Sequence, residues 1–253
     1  MATIDHDGRT TAYRVVDGAA PPVLFVHGSG GTGRVWAGQR RLDRTVVTLD
    51  LSGHGHSTDV DAAPGRPTLS AYVADVLAVR DATGARALCG NSLGGAVVLA
   101  AVLEADPPVD AAVIAGGGAT LPVADFLLAW LRDDFDRAVE FLHGPDRLFH
   151  DPPDRVRERS AAAMRAVGRR VTERDFLTCD DFDVADRLSA VSVPLLALTG
   201  EHDALTPPAR HEALAAAVPD GRWETVPGAA HLSMLERPSA FGDALEGFLR
   251  DVV

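Results

Sequence analysis

The sequence predicts an α/β fold in which a mostly parallel sheet carries helices on both faces, and three observations lead to this prediction. Short apolar runs, of the kind buried on both faces of a sheet, alternate with segments of helical periodicity. This alternation extends from residue 10 to residue 118 and resumes near residue 193. Several of the apolar runs end in turns rich in glycine or proline. We therefore expect parallel strands that are joined by crossover helices.

The first half of the chain contains most of the predicted sheet. Residues 22–26 form a continuous apolar run that ends at a glycine-rich loop, and residues 45–49 repeat the pattern. A helix is predicted at 69–77, where apolar residues fall at helical spacing, and a helix of small residues is predicted at 93–104. The other strands predicted in this half are 11–16, 87–89 and 109–115.

Regular alternation is interrupted between residues 119 and 186, which we interpret as an insertion. Apolar and aromatic residues recur there at helical intervals, and arginine-rich helical stretches follow. The predicted organisation is a core of residues 1–118 and 187–253 with an inserted helical lid, or cap, of residues 119–186. Its aromatic residues either pack in its own core or line an apolar substrate pocket, and they are Phe126, Trp130, Phe135 and Phe149.

After the insertion the core resumes with two strands and two helices. Residues 193–199 form an apolar strand, and residues 222–226 form a shorter one. Each is followed by a turn that ends on a polar residue, Asp203 in the first case and His231 in the second. The helices are predicted at 208–217 and in a closing segment that ends near Arg250.

Composition and charge exclude several classes of function. The chain has 253 residues and a formal net charge of −12, and all of its 24 basic residues are arginine. Because nucleic-acid binding draws on clustered basic residues, no nucleic-acid partner is expected. The sequence has no apolar run of membrane-spanning length, no secretory signal at its amino terminus, and too few cysteines for a disulfide framework. We expect a cytoplasmic protein without a membrane partner.

The segment Gly90-Asn91-Ser92-Leu93-Gly94 places a serine between two glycines where a predicted strand turns into a predicted helix. This pattern is typical of a nucleophilic serine on a sharp turn, because larger side chains at the glycine positions would collide with the strand and the helix. Serine is a weak nucleophile at neutral pH, so it needs a base to accept its proton and an acid to orient that base. Ser92 is therefore the candidate nucleophile.

Asp203 and His231 are the candidates for the acid and the base. Ser92, Asp203 and His231 occur in this order along the chain, and each lies at the carboxyl end of a predicted strand. This rim is where open parallel sheets place their functional sites. The rival position for the acid, after the strand at 109–115, contains three glycines and no carboxylate. The sequence thus predicts a Ser-His-Asp triad.

Five short motifs in this order resemble those of the α/β-hydrolase family, and the resemblance covers almost the whole chain. They are His27-Gly28, Gly53-His54-Gly55-His56-Ser57, Gly90-Asn91-Ser92-Leu93-Gly94, Gly200-Glu201-His202-Asp203 and Gly228-Ala229-Ala230-His231. The resemblance implies a sheet of the eight-stranded type, with Ser92 as nucleophile, His231 as general base and then acid, and Asp203 as the orienting carboxylate. It also implies an oxyanion hole formed by the backbone N–H groups of Ser29 and Leu93. No cofactor is implied.

The predicted function is hydrolysis of a small ester, thioester or lactone with an apolar portion, through an acyl-enzyme on Ser92. Three alternatives remain open. Gly90-Asn91-Ser92 also resembles carbon–carbon bond hydrolases that cleave vinylogous diketones, although Leu232 stands where that branch usually has an aromatic residue. A lyase or a cofactor-free peroxidase would use the same triad. A ligand receptor on this fold would transmit a lid movement to a partner.

Several other polar residues are interpreted as structural. His27 is expected to support the loop that follows its strand. His54 and His56 could suggest a metal pair, but no cysteine or carboxylate nearby in the sequence completes a tetrahedral set, so no metal is expected. Most arginines of the insertion are expected to be solvated surface rather than ligands of a substrate carboxylate, and they include Arg132, Arg165 and Arg174.

Overall fold

The computed structural model describes all 253 residues and contains one eight-stranded sheet. The strands are β1 (Ala2–His6), β2 (Arg9–Val16), β3 (Ala20–Val26), β4 (Arg44–Leu49), β5 (Ala87–Asn91), β6 (Ala111–Ala115), β7 (Leu195–Gly200) and β8 (Gly221–Val226). They lie in the order β1-β2-β4-β3-β5-β6-β7-β8. Strand β2 pairs antiparallel with β1 and β4, and every other pair is parallel. The predicted fold class is therefore confirmed.

Helices cover the sheet on both faces. The α-helices are α1 (Arg66–Thr83), α2 (Leu93–Glu104), α3 (Asp125–Asp133), α4 (Phe135–Leu142), α5 (Asp154–Val167), α6 (Arg169–Asp180), α7 (Pro208–Ala217), α8 (Ser233–Glu236) and α9 (Pro238–Val252), and two 3-10 segments span Gly33–Arg41 and Ala185–Ala190. None of these helices combines the length and the apolar character that crossing a membrane requires.

The central strands are buried on both faces. In β3, Leu24 and Val26 belong to the apolar cluster that contains the inner residues of α1 and α2. Val23 and Phe25 belong to a second cluster, which contains the inner residues of α9. Side chains that alternate between two covered faces must all be apolar. This arrangement explains why the strands stand out in the sequence as continuous apolar runs.

Strand β1 is the one strand that the sequence analysis missed. It lies at the edge of the sheet, pairs only with β2, and alternates between exposed and half-buried residues. The turn between the two strands is formed by Asp7 and Gly8, which have positive φ angles of 45° and 73°. An edge strand with a single neighbour, in which only Ile4 packs against the apolar core, carries no apolar run in its sequence. The helices predicted at 93–104 and 208–217 have the observed bounds.

Helices α3 to α6 all lie within the segment 119–186, between β6 and β7. An isolated bridge between Thr120 and Asp183 joins the two ends of this segment. Its inner side chains, such as Leu131 and Leu142, belong to the same apolar cluster as the sheet residues beneath them. The four helices thus pack directly on the rest of the chain, and the division into core and lid stays a prediction.

The turn between β5 and α2 depends on two glycines. A Cβ atom on Gly90 would lie 2.1 Å from the carbonyl oxygen of Gly94, and one on Gly94 would lie 2.3 Å from the carbonyl oxygen of Val26. Both distances are far shorter than any contact a carbon atom tolerates, and the obstacles are backbone atoms. Strand, turn and helix can approach this closely only because neither position has a side chain.

We expect Gly90→Ala to destabilise the protein, because the added methyl group must displace the backbone of α2. Overpacking of this kind costs about 1–3 kcal/mol or more in unfolding free energy, which urea denaturation measures. Gly247→Ala is the matched control, since a Cβ on this helical glycine meets nothing within 4 Å. Equal stability of the two variants would contradict the steric account.

Candidate active site

His231 and Asp203 meet at the carboxyl ends of β7 and β8. The Nδ1 atom of His231 lies 2.9 Å from Oδ2 of Asp203, and both side chains are almost completely buried. Ser92 follows β5 and lies with His231 on the wall of one cavity. The structure therefore brings the Asp203 and His231 side chains into direct contact and places Ser92 at the same cavity.

Asp203 accepts hydrogen bonds from several groups in addition to His231. Its Oδ1 atom accepts hydrogen bonds from the N–H groups of Leu205 and Thr206, and its Oδ2 atom accepts one from the Thr206 hydroxyl at 2.7 Å. Burial by itself would raise the pKa of Asp203, but His231 and the Thr206 bonds outweigh it and lower the pKa. The carboxylate is thus ionised and accepts the Nδ1 proton of His231, which leaves Nε2 free to accept another.

Ser92 has a backbone conformation that residues other than glycine rarely adopt. Its φ and ψ angles are 54° and −118°. Its N–H donates to the carbonyl of Ala115, and the side-chain amide of Asn91 donates to the carbonyls of Ala115 and His231, at 3.1 and 3.4 Å. These hydrogen bonds therefore hold the strained turn against β6 and against the loop that contains His231. Strain of this size, about 1–3 kcal/mol, persists only where the surroundings enforce it.

The predicted oxyanion donors lie on two sides of this turn. Leu93 is the first residue of α2, so its N–H belongs to the group of helix amides that have no acceptor within the helix. Ser29 lies in the loop after β3, and its N–H donates to no protein group, whereas the N–H groups of Gly30 and Gly31 are both bonded. A Cβ on Gly28 would lie 3.1 Å from Cβ of Ser92, so this loop passes directly against the serine.

His27 supports the loop after β3 through hydrogen bonds to the backbone. Its Nδ1 atom donates to the carbonyl of Gly28, and its Nε2 atom accepts from the N–H of Leu51. Burial, with added repulsion from His54, lowers the pKa of His27 to about 4. A neutral ring that uses both nitrogens in backbone contacts has the supporting role predicted for it.

A buried polar cluster connects α6 to the same loop, and no sequence pattern indicated it. The carboxylate of Asp175 accepts hydrogen bonds from Nε2 of His54 at 2.9 Å, the hydroxyl of Tyr72 at 2.7 Å and the N–H of Gly30 at 3.1 Å. Asp175, His54 and Tyr72 are all inaccessible to solvent. The helical segment 119–186 is thereby attached to the residue that follows Ser29.

Arg174 corrects one expectation of the sequence analysis. It is only 6% exposed, rather than solvated, and its guanidinium donates to Asp59 at 2.8 Å and to Tyr72 at 3.2 Å. Arg132 and Arg165 are exposed, as expected, and pair with Asp133 and Asp136 on the surface. Arg174 differs from these two because α6 turns it towards the buried cluster.

Within the buried cluster, Asp175 and His54 each stabilise the charged form of the other. Burial by itself would raise the pKa of Asp175, but His54 and the other donors outweigh it and lower the pKa overall. Burial would also lower the pKa of His54, but Asp175 outweighs it and raises the pKa. Both ring nitrogens of His54 face acceptors, the second being the carbonyl of Ser52. The raised pKa of His54 and the lowered pKa of Asp175 both favour an ion pair between the two side chains.

The two histidines that suggested a metal pair have different surroundings. His54 is buried and bonded to Asp175, whereas His56 is exposed. The structure holds no group of three or more histidine, cysteine or acidic side chains that could hold a metal ion.

A cavity of about 1100 Å³ opens over Ser92. Of the aromatic residues singled out in the sequence, Phe126 lines it, whereas Trp130, Phe135 and Phe149 do not. Phe149 is almost completely buried, and Trp130 packs edge-on against Phe126. Other apolar side chains supply the wall over Ser92, and these include Leu121, Leu127, Phe141, Met164, Phe176 and Leu205.

Comparison with known proteins agrees with this architecture. The sequence model of the alpha/beta hydrolase family matches residues 23–244. The RutD protein of Azorhizobium caulinodans, to which a carbamate hydrolase activity is attributed, is 27% identical over 98% of each chain. The 3-oxoadipate enol-lactonase 1 of Acinetobacter baylyi is 26% identical over 92% of this chain and 90% of its own. Among solved structures, a thermophilic esterase superposes with a TM-score of 0.87 at 28% identity and covers 99% of this chain and 97% of its own.

We expect Asp175→Asn to lower the unfolding free energy by about 3 kcal/mol, because it leaves His54 in the interior without its charged partner. The pKa of Asp175 is depressed, so its contribution is present above pH 3.8 and is lost as the pH falls below that value. The pKa of His54 is raised, so its contribution is present below pH 6.5 and is lost as the pH rises through its folded value. The stability difference between wild type and variant should therefore be largest between about pH 4 and 6.5 and shrink towards pH 9.

Urea unfolding at a series of pH values measures this difference. The control is Asp133→Asn, which changes an exposed carboxylate paired with Arg132 on the surface. A stability difference for Asp175→Asn that stays constant from pH 5 to pH 9 would show that His54 and Asp175 do not titrate as an ion pair.

Proposed function

Because the chain belongs to the alpha/beta hydrolase family, we propose that it is a serine hydrolase that cleaves a small ester, thioester or lactone through an acyl-enzyme on Ser92. The observation that carries the proposal is the contact between Asp203 and His231, which orients the ring at the cavity where the strained serine lies. A histidine ordered in this way can act as a general base for a serine hydroxyl.

In the proposed reaction, Nε2 of His231 accepts the hydroxyl proton of Ser92 as Oγ bonds to the substrate carbonyl carbon. The carbonyl π electrons move onto the oxygen and form a tetrahedral oxyanion. When these electrons return, the bond to the leaving group breaks and His231 gives its proton to that group. Water then attacks the acyl-enzyme with His231 again as base, and the acid product leaves Ser92.

The backbone N–H groups of Ser29 and Leu93 are proposed to stabilise the oxyanion. They flank Ser92, and Ser29 N–H is not used by any protein acceptor. Because Asp175 binds the neighbouring N–H of Gly30, the buried cluster fixes the position of this donor before the substrate arrives. Donors that are already oriented need no reorganisation during the reaction, and each typically contributes a factor of about 100 to 1,000 in turnover.

The segment 119–186 is proposed to act as the lid, since its helices supply much of the apolar wall above Ser92. Such a wall fits a substrate with an apolar portion. The carbon–carbon bond hydrolase alternative was suggested by Asn91. The amide of Asn91 donates to the carbonyls of Ala115 and His231, a positioning role that serves either reaction, so Asn91 gives the alternative no advantage over ester hydrolysis.

We expect wild-type protein to hydrolyse p-nitrophenyl esters, with turnover reduced about 10⁴-fold or more in Ser92→Ala and about 10⁴-fold in Asp203→Asn. The first variant lacks the nucleophile, and the second keeps the shape of the site but favours the wrong histidine tautomer. Steady-state kinetics on esters of increasing chain length measure both effects. Ser189→Ala, which changes an exposed serine, is the control and should behave as wild type.

Two outcomes would overturn the proposal. Ester hydrolysis that survives in Ser92→Ala would remove the serine from the mechanism. Slow turnover of every ester, together with rapid cleavage of a vinylogous diketone, would favour the carbon–carbon bond alternative.

A further inference from the structure

The charge of the cavity is opposite to that of the chain. The protein has 36 acidic and 24 basic residues, yet the cavity that contains Ser92 is lined by a single carboxylate, Asp50, and by several arginines. Those arginines are Arg14, Arg34, Arg40, Arg159 and Arg210. In a protein with a net charge of −12, a cavity with this charge distribution attracts anions that the rest of the surface repels.

The one carboxylate of the cavity, Asp50, accepts hydrogen bonds from backbone N–H groups. Oδ1 of Asp50 accepts the N–H of Gly33 at 2.8 Å, and its Oδ2 accepts the N–H of His56 at 3.0 Å. These bonds connect Asp50 to the start of the 3-10 segment Gly33–Arg41 and to the loop that contains His56. Asp50 therefore has a structural role and forms no ion pair with the arginines.

Arg14 and Arg34 lie near enough to Arg40 to repel its positive charge. Arg14 lies on β2, and Arg34 and Arg40 lie in the 3-10 segment Gly33–Arg41. The pKa of Arg40 is lowered by partial burial and then by repulsion from Arg14 and Arg34. Its Nε atom is buried and has no hydrogen-bond partner. Because this Nε atom is buried, an anion in the cavity would be bound by the terminal nitrogens of the guanidinium.

The position of these arginines relates them to the proposed reaction. Arg34 follows Ser29 by five residues, so its Cα lies at most ~18 Å from that of Ser29 at ~3.6 Å per residue. The 3-10 segment thus continues the wall that begins at the proposed oxyanion donor. The helices of residues 119–186 supply the apolar part of the same cavity. The same cavity is therefore lined by Ser92, by apolar side chains of the helices and by arginines.

We propose that Arg14, Arg34 and Arg40 form a subsite for an anionic group, a carboxylate or a phosphate, at the end of the substrate remote from the bond that is cleaved. The inference rests on the proposed function, because it specifies the class of ester or thioester that the site prefers. Guanidinium groups suit this role, since their planar donors match both anions in bidentate geometry. A substrate held in this way would extend through the apolar part of the cavity to Ser92.

The test compares p-nitrophenyl esters of linear acyl chains that end in a carboxylate, a phosphonate or a neutral carboxamide, at several matched chain lengths. Wild-type protein should hydrolyse at least one anionic ester with a kcat/KM about tenfold or more above that of its carboxamide partner. This preference should decrease as salt is added, because exposed charges are screened. The chain end that is preferred, carboxylate or phosphonate, identifies the natural anion class.

Arg40→Gln should lower kcat/KM for the preferred anionic ester about tenfold or more and change the carboxamide ester less than about twofold. The matched control is Arg41→Gln, which removes the same charge one residue away, at an exposed position outside the cavity. Arg155→Gln, an exposed arginine of α5, controls for net charge alone. A loss of equal size in all three variants would overturn the subsite and indicate a general effect of charge.

The subsite and the proposed function fail in different ways. Neutral esters that are hydrolysed through Ser92 with no preference for anionic chains would overturn the subsite and leave the hydrolase. If no ester is hydrolysed, calorimetric titration of glutarate and inorganic phosphate into the wild type and Arg40→Gln still tests the subsite. Binding of either anion that weakens about tenfold in Arg40→Gln but not in Arg41→Gln supports it, and binding that is absent or unchanged overturns it.

Discussion

The left-handed backbone of Ser92 is the constraint on which the rest of the site depends. The serine can occupy this conformation only because Gly90 and Gly94 let the strand, the turn and the helix approach to distances that no Cβ atom would permit. The neighbouring strand, through Ala115, and the side chain of Asn91 hold the turn in place. Backbone strain is thus enforced by packing on several sides, as is common where a reactive group must be presented to a substrate.

The buried cluster around Asp175 has a comparable effect on the opposite side of the site. A single carboxylate from α6 binds a histidine, a tyrosine and the N–H of Gly30, and so connects the helical segment to the loop that carries Ser29. The segment 119–186 therefore does more than line the cavity, because one of its side chains binds the loop that carries Ser29. Removing a carboxylate from such a cluster leaves its partners unpaired in the interior.

Local patterns in the sequence predicted most of the fold and singled out Ser92 and His231, which both line the cavity. Apolar runs indicated strands that are buried on both faces, and the spacing of Gly90 and Gly94 around Ser92 indicated the sharp turn. Contacts between distant residues had no such signal. The hydrogen bond between the N–H of Gly30 and the carboxylate of Asp175 joins positions 145 residues apart. The hydroxyl of Thr206 donates to Asp203, but nothing in the sequence distinguishes this threonine from the others. Arg174 was assigned to the surface because its burial depends on the rotation of α6 in the folded chain.

The most direct test of the account is to label the protein with a fluorophosphonate, in which a serine oxygen displaces fluoride and bonds to phosphorus, and to locate the adduct by peptide mass spectrometry. We predict one adduct per chain, on the peptide that contains Ser92, formed far more slowly in Asp203→Asn because His231 is then wrongly oriented. Rapid labelling at another serine, or labelling of Ser92 that is equally fast in Asp203→Asn, would contradict the claim that Asp203 and His231 activate Ser92.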